Sequence, residues 1–402
     1  MSDTPTPISL LPGYRVLDLA SSMGAFCGKL MRDLGMDVVK VEPPEGDAAR
    51  WEPPFANGHA HHEGSLRFAY LNAGKRGITL DISKAAGRKL LLELVERADI
   101  VLESFAPGYL AELGIGYGDM VERRSNLILV SVSGFGQDGP YAHFKTPDLV
   151  GTAMGGLLYI SGDPNLTPCN PPETQSYYYA SLFACYGAML ALWQRETRGI
   201  GSWIDASIQA SMALHEHVAF NYSAEGRVMK RAGSQHQHNA PANLFPCQNG
   251  WIALFVTQNH WPILLKAWPD HDPELNDPKW INSNLRRANA DYINAQVSSF
   301  TSRFAKEGLA EIMQKNGIPA LPVNTPTDFM KDPHIRARGF FGQVSHPILG
   351  TFEQAGSPFK VNGERGLPLA APLVGQHNRD VYCDELGIDK GAVAALAASG
   401  VI

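Results

Sequence analysis

Short apolar runs and helical stretches alternate along the first third of the chain. The predicted strands are residues 14–19 (YRVLDL), 37–42 (DVVKVE), 77–82, 99–103 and 127–133, and the predicted helices between them are 26–34 and 84–96. A small-residue turn, residues 20–25, follows the first strand. This order is typical of a parallel sheet with crossover helices. The pattern therefore predicts an α/β fold with a Rossmann-like large domain.

The segments that follow these strands are where we expect a ligand, because doubly wound sheets bind ligands beyond the carboxyl ends of their strands. They are residues 21–24, 43–50, 104–108 and 133–140. The turn after the first strand lacks the GxGxxG pattern, so a dinucleotide site is not predicted.

The middle of the chain carries one long apolar helix. Residues 177–196 (YYYASLFACYGAMLALWQRE) are apolar on nearly all sides, so we expect this helix to be buried. A shorter helix is predicted before it, at 148–156, and another after it, at 207–222. Residues 223–239 are polar and contain glycine, which predicts a linker to a second unit.

Composition excludes several classes of protein. The 402 residues include 34 Lys and Arg against 40 Asp and Glu, a net charge of −6, and 44% are hydrophobic. A disordered chain would have fewer apolar residues, and a nucleic-acid-binding protein would have a basic excess. No window approaches ~18 uninterrupted apolar residues, so we expect no membrane span. Residues 1–11 lack the features of a signal peptide.

The cysteines indicate a reducing compartment. Five are scattered along the chain, with no CxxC pair and no spacing typical of a metal site. We therefore expect free thiols, a cytoplasmic protein and no bound metal.

Six sequence strings together resemble the class III CoA-transferase family (CaiB/BaiF type), over about residues 13–386. They are residues 16–50, 70–82, 98–117, 131–142, 323–341 and 356–361. Each string alone is a weak signal, but their number, order and spacing make the resemblance specific.

The resemblance implies a two-domain α/β chain in an interlocked-ring dimer. The large domain would comprise residues 1–222 and, after a return segment, 323–402, with a linker at 223–239 and a smaller α/β domain at 240–322. The family moves coenzyme A (CoA) from an acyl-CoA to a carboxylic acid, without a tightly bound cofactor. A family aspartate attacks the thioester and carries the acyl group as a mixed anhydride, and the returning thiolate then forms an aspartyl-CoA thioester.

The resemblance places a tyrosine where the family has that aspartate. The matching residues Ala180, Leu182 and Gly187 fix the register, and Tyr177 then occupies the nucleophile position. A phenol, with a reference pKa of ~10, cannot form an acyl anhydride. The nearest upstream carboxylate is Glu173, four residues earlier.

Other family site positions are partly kept. The resemblance implies a CoA-binding role for Arg50, Lys75, Arg76, Ser104, Phe105 and Lys145, and a substrate-binding role for Met23, Asp148 and Tyr177. Glu112 stands where the family commonly has a basic residue, and an acid there would repel a CoA phosphate.

We therefore expect the non-catalytic subunit of a heteromeric CoA-transferase, beside a paralogue with an intact aspartate, as a heterodimer or a pair of heterodimers. The resemblance is to the benzylsuccinate-type enzymes of aromatic-compound degradation, with succinyl-CoA as donor and a substituted succinate as acceptor. Two alternatives stay open: a self-sufficient transferase that uses Glu173, and a non-enzymatic CoA-binding scaffold. A racemase of the same fold is disfavoured, because Pro147 and Tyr177 occupy its His and Asp positions.

Overall fold

A computed structural model describes residues 9–215 and 218–402 of the chain. The first eight residues, which belong to the segment without signal-peptide features, lie outside the described residues. So do Glu216 and His217, which fall within the helix predicted at 207–222.

A six-stranded parallel sheet organises the first of two compact units. The unit comprises residues up to Leu157, Pro171–Gly226 and Arg336–Ile402. The sheet order is β3-β2-β1-β4-β5-β6, which reverses between β1 and β4. The strands are β1 (Arg15–Asp18), β2 (Asp37–Glu42), β3 (Arg76–Thr79), β4 (Ile100–Glu103), β5 (Ile128–Ser133) and β6 (Ser202–Ser207). The predicted α/β, Rossmann-like fold class is confirmed.

Helices connect these strands, and a hairpin and a tail follow them. The helices up to β6 are α1 (Ala25–Asp33), α2 (Leu66–Leu71), α3 (Ala85–Val95), α4 (Tyr109–Glu112), α5 (Tyr117–Arg123), α6 (Asp148–Met154), α7 (Leu157–Ile160) and α8 (Gln175–Arg198). After β6 come α9 (Ile208–Ala213) and α10 (Phe220–Glu225). β10 (Phe341–His346) and β11 (Gly350–Ala355) form an antiparallel hairpin, and α17 (Lys390–Ala398) lies in the tail.

The sheet is covered on both faces. Successive side chains of a strand point to opposite faces, so Val16 and Leu17 belong to two different apolar clusters. Leu17 packs with the cluster that includes Leu91 of α3, and Val16 packs with the one that includes Ala184 of α8. Each large side chain buried in this way stabilises the fold by about 1.5–3 kcal/mol.

The C-terminal segment covers the β3 edge of the sheet. The Thr79 backbone N–H donates to Oδ1 of Asn378 at 2.8 Å, and the Tyr382 hydroxyl donates to the Thr79 carbonyl at 2.7 Å. The Gly77 backbone N–H donates to Nδ1 of His377 at 3.0 Å. These contacts satisfy strand groups that would otherwise be free to pair with another chain.

Helix α8 differs from its prediction. Its small residues, including Ala180, Ala184 and Ala188, are buried against α1 and the sheet. The expectation that the whole helix is buried is wrong for this chain, because one apolar face is exposed to solvent. This face, here called the α8 stripe, consists of Leu182, Phe183, Tyr186, Leu190 and Trp193. An all-apolar sequence cannot itself indicate which face packs inside the chain.

The second unit is smaller and mostly helical. It comprises Leu158–Asn170 and Arg227–Ile335, and the small domain predicted at 240–322 lies within it. Its strands β7 (Ala242–Cys247), β8 (Gly250–Phe255) and β9 (Ala320–Pro322) form an antiparallel sheet. The remaining helices are α11 (Trp261–Ala267), α12 (Ser283–Ala288), α13 (Ala290–Thr301), α14 (Lys306–Lys315), α15 (Pro326–Lys331) and α16 (Pro333–Ala337), the last of which continues beyond this unit.

Within the described part of the chain, no helix combines the length and the apolar character that crossing a bilayer requires.

Candidate active site

The turns after β1 and β4 meet at the point where the strand order reverses. The backbone N–H of Ser21, in the first turn, donates to Oγ of Ser104, in the second, at 3.0 Å. The backbone N–H of Phe105 donates to the Glu103 carboxylate at 2.7 Å. A crevice at such a reversal is the general ligand site of doubly wound sheets.

A cavity of about 370 Å³ opens beside these turns. Its lining includes Met23, Ser104, Phe105 and Lys145, four of the residues predicted to bind CoA or substrate. Thr146 and His143 also line it. The structure therefore brings together side chains that lie far apart in the sequence, with Lys145 exposed at the cavity.

A second cavity, of about 320 Å³, shares Phe105 with the first. Its lining contains four acidic residues, Glu42, Glu45, Asp47 and Asp81, and no Lys or Arg among the described residues that form it. The predicted Glu112 is exposed at the end of α4. Glu42 and Asp47 are already paired with Arg50 and Lys40, so the described lining offers a phosphate no Lys or Arg of its own.

Glu103 was missed by the sequence analysis. It ends β4 with only 5% of its surface exposed, and burial raises the pKa of its carboxyl to about 7, against the opposing hydrogen bonds from Ser131 and the Phe105 backbone. Its signal in the sequence is an acid that closes a buried apolar strand directly before the site turn.

Tyr177 lies in the first turn of α8. Its hydroxyl is 3.5 Å from the carbonyl of Thr146, a residue of the first cavity. Burial raises the pKa of this phenol, and the nearby carboxylates of Asp148 and Glu52 raise it further. The hydroxyl therefore stays protonated at neutral pH and is a poor nucleophile.

Asp148 is held at the start of α8. Its Oδ1 accepts hydrogen bonds from the backbone N–H of Ser176 at 2.9 Å and from the Ser176 hydroxyl at 2.7 Å. The carboxylate thus satisfies a donor at the helix N-terminus, directly before Tyr177. Its predicted role in substrate binding stays a prediction.

Glu173 faces solvent and reaches an arginine of α2. Its side chain is 70% exposed, and its Oε2 is 3.8 Å from Nη1 of Arg67. Arg67 also lies 3.2 Å from Glu52, whose carboxylate accepts a hydrogen bond from the Ser22 hydroxyl at 2.5 Å. Arg67 and Glu52 were missed by the sequence analysis, because only the tertiary structure brings α2 to the start of α8.

Three of the predicted CoA-binding cations have partners within the protein. Arg50 is 1% exposed and makes four hydrogen bonds, two of them to Glu42. Lys75 is buried and donates to Asp18 at 2.7 Å. Arg76 pairs with Asp37 and Glu385. These ion pairs within the protein give each cation a structural role. The CoA-binding role of the three residues therefore stays a prediction.

Residues 9–215 and 218–402 hold no group of three or more His, Cys, Asp or Glu side chains arranged to bind a metal ion.

Comparison with known proteins identifies the family. A family model described as CoA-transferase family III matches residues 11–378. The chain belongs to CoA-transferase family III. The resemblance expected from the sequence strings is therefore confirmed, and the substrates of this family are CoA thioesters.

Two curated relatives and one solved structure show how far the similarity extends. The succinyl-CoA–D-citramalate CoA-transferase of Chloroflexus aurantiacus is 32% identical over 399 residues, which cover 98% of each chain. The BbsE subunit of succinyl-CoA:(R)-benzylsuccinate CoA-transferase from Thauera aromatica is 30% identical over 92% of this chain and 93% of its own. A crystal structure of a CaiB/BaiF family protein from Brucella suis, 28% identical, matches with a TM-score of 0.83 over 94% of this chain and 100% of that chain.

Proposed function

We propose that this chain is the subunit of a heteromeric CoA-transferase that lacks a working nucleophile and assembles with a paralogue that carries the aspartate. The observation that carries the proposal is Tyr177, a protonated phenol in the first turn of α8 beside the first cavity. Attack on a thioester requires an activated nucleophile, and among the described residues the hydrogen-bond partner of this hydroxyl is the Thr146 carbonyl, which is not a base.

The carboxylates near Tyr177 have other contacts. Asp148 accepts two hydrogen bonds from Ser176, and Glu52 accepts one from Ser22. Glu173 is mostly exposed to water, which favours a solvated, weakly nucleophilic carboxylate. These placements favour a paralogue as the source of the nucleophile.

CoA would occupy the first cavity. Lys145 supplies a positive charge there, and Ser104 and Phe105 offer polar and aromatic surface. The described lining of the second cavity contains no Lys or Arg to pair with the phosphates of CoA. Binding of CoA by this subunit would therefore rest on the first cavity.

The names of the relatives support the choice of substrates and partner. Both curated relatives described above are named for succinyl-CoA, and one of them is named as a subunit. We propose succinyl-CoA as donor and a substituted succinate as acceptor, in a cytoplasmic pathway of aromatic-compound degradation. The partner would be a paralogous subunit in a heterodimer or a pair of heterodimers.

The α8 stripe supports an assembly. A row of five large apolar side chains on one helix face is costly to leave in water, and such patches mark interaction surfaces. The stripe belongs to the same helix as Tyr177, so a partner on the stripe would lie close to the site. We propose that the partner subunit covers this face in an interlocked dimer.

The test is to purify the chain alone and co-expressed with the paralogue, and to assay CoA transfer from succinyl-CoA to a panel of acids. We expect transfer by the co-expressed pair and none by the chain alone. Hydroxylamine and borohydride trapping should place the acylated carboxylate on the partner. Full activity of the chain alone that Glu173→Gln abolishes would overturn the proposal in favour of a self-sufficient enzyme, and thioester binding without transfer by any assembly would favour a scaffold.

A further inference from the structure

Arg67 lies where three segments of the first unit meet. Its Nε is 3.2 Å from Oε2 of Glu52, and its Nη1 is 3.8 Å from Oε2 of Glu173. Its Nη2 donates a hydrogen bond to the hydroxyl of Thr174, directly before α8. The Arg67 side chain is only 16% exposed, so the guanidinium is largely removed from water.

Most of the hydrogen-bonding capacity of Arg67 is unused. A guanidinium carries five N–H donors in a planar fork that matches a carboxylate. Across the described ranges 9–215 and 218–402, the bond to Thr174 is the one hydrogen bond that this side chain makes. Its buried Nε is not aligned on Glu52, and the 3.8 Å separation from Glu173 is too long for a hydrogen bond. The guanidinium can therefore donate two hydrogen bonds to a further carboxylate.

The two neighbouring carboxylates are held differently. Glu52 is anchored by the Ser22 hydroxyl at 2.5 Å, whereas the Glu173 side chain is 70% exposed. Glu173 also has a backbone φ of +59°, a left-handed conformation that residues other than glycine and asparagine rarely adopt. An incoming carboxylate would thus displace Glu173 rather than Glu52.

The position of Arg67 connects it to the proposed reaction site. Burial raises the pKa of the Tyr177 and Tyr178 phenols, and the positive charge of Arg67 opposes that rise in both. The contact is also geometric, because Thr174, whose hydroxyl accepts the hydrogen bond from Arg67, accepts another through its carbonyl from the Tyr177 backbone N–H at 3.1 Å. Tyr177 thus contacts both Thr146, which lines the first cavity, and Thr174, which contacts Arg67.

We infer that Arg67 binds the second carboxylate of a dicarboxylic acyl group in two-point contact and displaces Glu173 into solvent. The inference rests on the proposed function, because it places the acyl group beside Tyr177. It specifies the substrate class of that site as acids and thioesters that carry a carboxylate at the end remote from the thioester. Arg67 is then a specificity-determining residue.

The test compares succinyl-CoA with butyryl-CoA, which has the same number of acyl carbons but no second carboxylate. Calorimetry on the purified chain should show succinyl-CoA binding about 10- to 100-fold tighter. Arg67→Gln should remove this preference and leave the affinity for butyryl-CoA unchanged, and Arg67→Lys should restore only part of it. Glu173→Gln should strengthen the binding of succinyl-CoA but not that of butyryl-CoA, because it removes the carboxylate that competes for Arg67.

Arg123→Gln is the matched control, since this arginine is exposed and pairs with Glu96 away from the site. An Arg67→Gln variant that keeps the preference, or a wild-type chain that binds both thioesters equally, overturns the inference but not the proposed subunit role. If the wild type binds neither thioester, CoA binding by this subunit fails instead. Saturation-transfer NMR that compares free succinate with free butyrate then decides the inference. We expect the wild type to bind succinate and Arg67→Gln to lose that binding. Equal signals from succinate and butyrate with the wild type would overturn the inference.

Discussion

The Asp148 carboxylate and Ser176 are joined by two hydrogen bonds, from the backbone N–H at 2.9 Å and from the hydroxyl at 2.7 Å. The contact links the first residue of α6 to the first turn of α8, 28 positions later in the chain. It fixes where α8 begins and therefore where Tyr177 lies. The predicted substrate residue Asp148 thus has a structural role that can be measured separately.

Asp148→Ala should lower the free energy of unfolding by about 1–3 kcal/mol, because it leaves the Ser176 donors without their charged acceptor. Urea unfolding of Asp148→Ala, Ser176→Ala and the double variant should reveal a coupling energy. Additive effects of the two substitutions would show that the hydrogen bond from the Ser176 hydroxyl does not stabilise α8. Lost acyl-CoA binding by a stable Asp148→Asn variant would support the predicted substrate role.

Tyr177→Asp should create the missing nucleophile. A carboxylate at this position can form the acyl anhydride, so the variant chain should transfer CoA from succinyl-CoA to a substituted succinate at a rate about 100-fold or more above Tyr177→Asn. Borohydride trapping and peptide mass spectrometry should locate the adduct at this position. Tyr178→Asp, one residue further along α8, is the control for register. A variant that binds CoA but forms no adduct would count against the predicted register.

Lys75 and Lys145 should respond differently to substitution. Lys75→Met leaves Asp18 buried without its 2.7 Å partner, so the free energy of unfolding should fall by about 3–5 kcal/mol. Lys145→Met removes an exposed charge at the first cavity, so it should weaken CoA binding by about tenfold and leave stability unchanged. Thermal unfolding and CoA titration of both variants test this. If Lys75→Met weakened CoA binding without loss of stability, Lys75 would be the phosphate ligand.

Glu103 should make stability depend on pH. Its pKa of about 7 lies above the value of an unfolded Glu, so the folded state binds the proton more tightly and stability falls as pH rises from about 4.5 to 7. Glu103→Gln should remove this fall, so its stability relative to wild type should increase by about 3 kcal/mol between pH 4 and pH 8. Urea unfolding at both pH values tests this, with exposed Glu112→Gln as control. Parallel pH curves for wild type and Glu103→Gln would show that Glu103 does not titrate in this range.

The α8 stripe should control assembly. Trp193 is 65% exposed in the isolated chain, and aromatic side chains often dominate the energy of an interface. Trp193→Ser should weaken association with the paralogue by about 10- to 100-fold, whereas Arg198→Ala, on another face of the same helix, should not. Mass photometry over a dilution series measures both. Unchanged association of Trp193→Ser would place the partner on a different surface.

Local sequence determined the parallel sheet and the turns that carry the site. The apolar runs of β1, β2 and β5 are buried on both faces of the sheet, so their composition is a direct signal of their structure. Because ligands bind beyond the carboxyl ends of parallel strands, the sequence already made residues 21–24 and 104–108 candidate segments. The family resemblance then implied site roles for Met23, Ser104 and Phe105 within them.

Tertiary structure decided which charged residues are free to act. Arg50 and Lys145 are both basic residues near site turns, but only the fold shows that Arg50 is enclosed by Glu42 and Glu63 while Lys145 is exposed at the cavity. Arg67 carries no signal in its own segment, because its partners Glu52 and Glu173 are distant in sequence. Burial and pairing depend on long-range contacts, which a residue's neighbours in the chain do not encode.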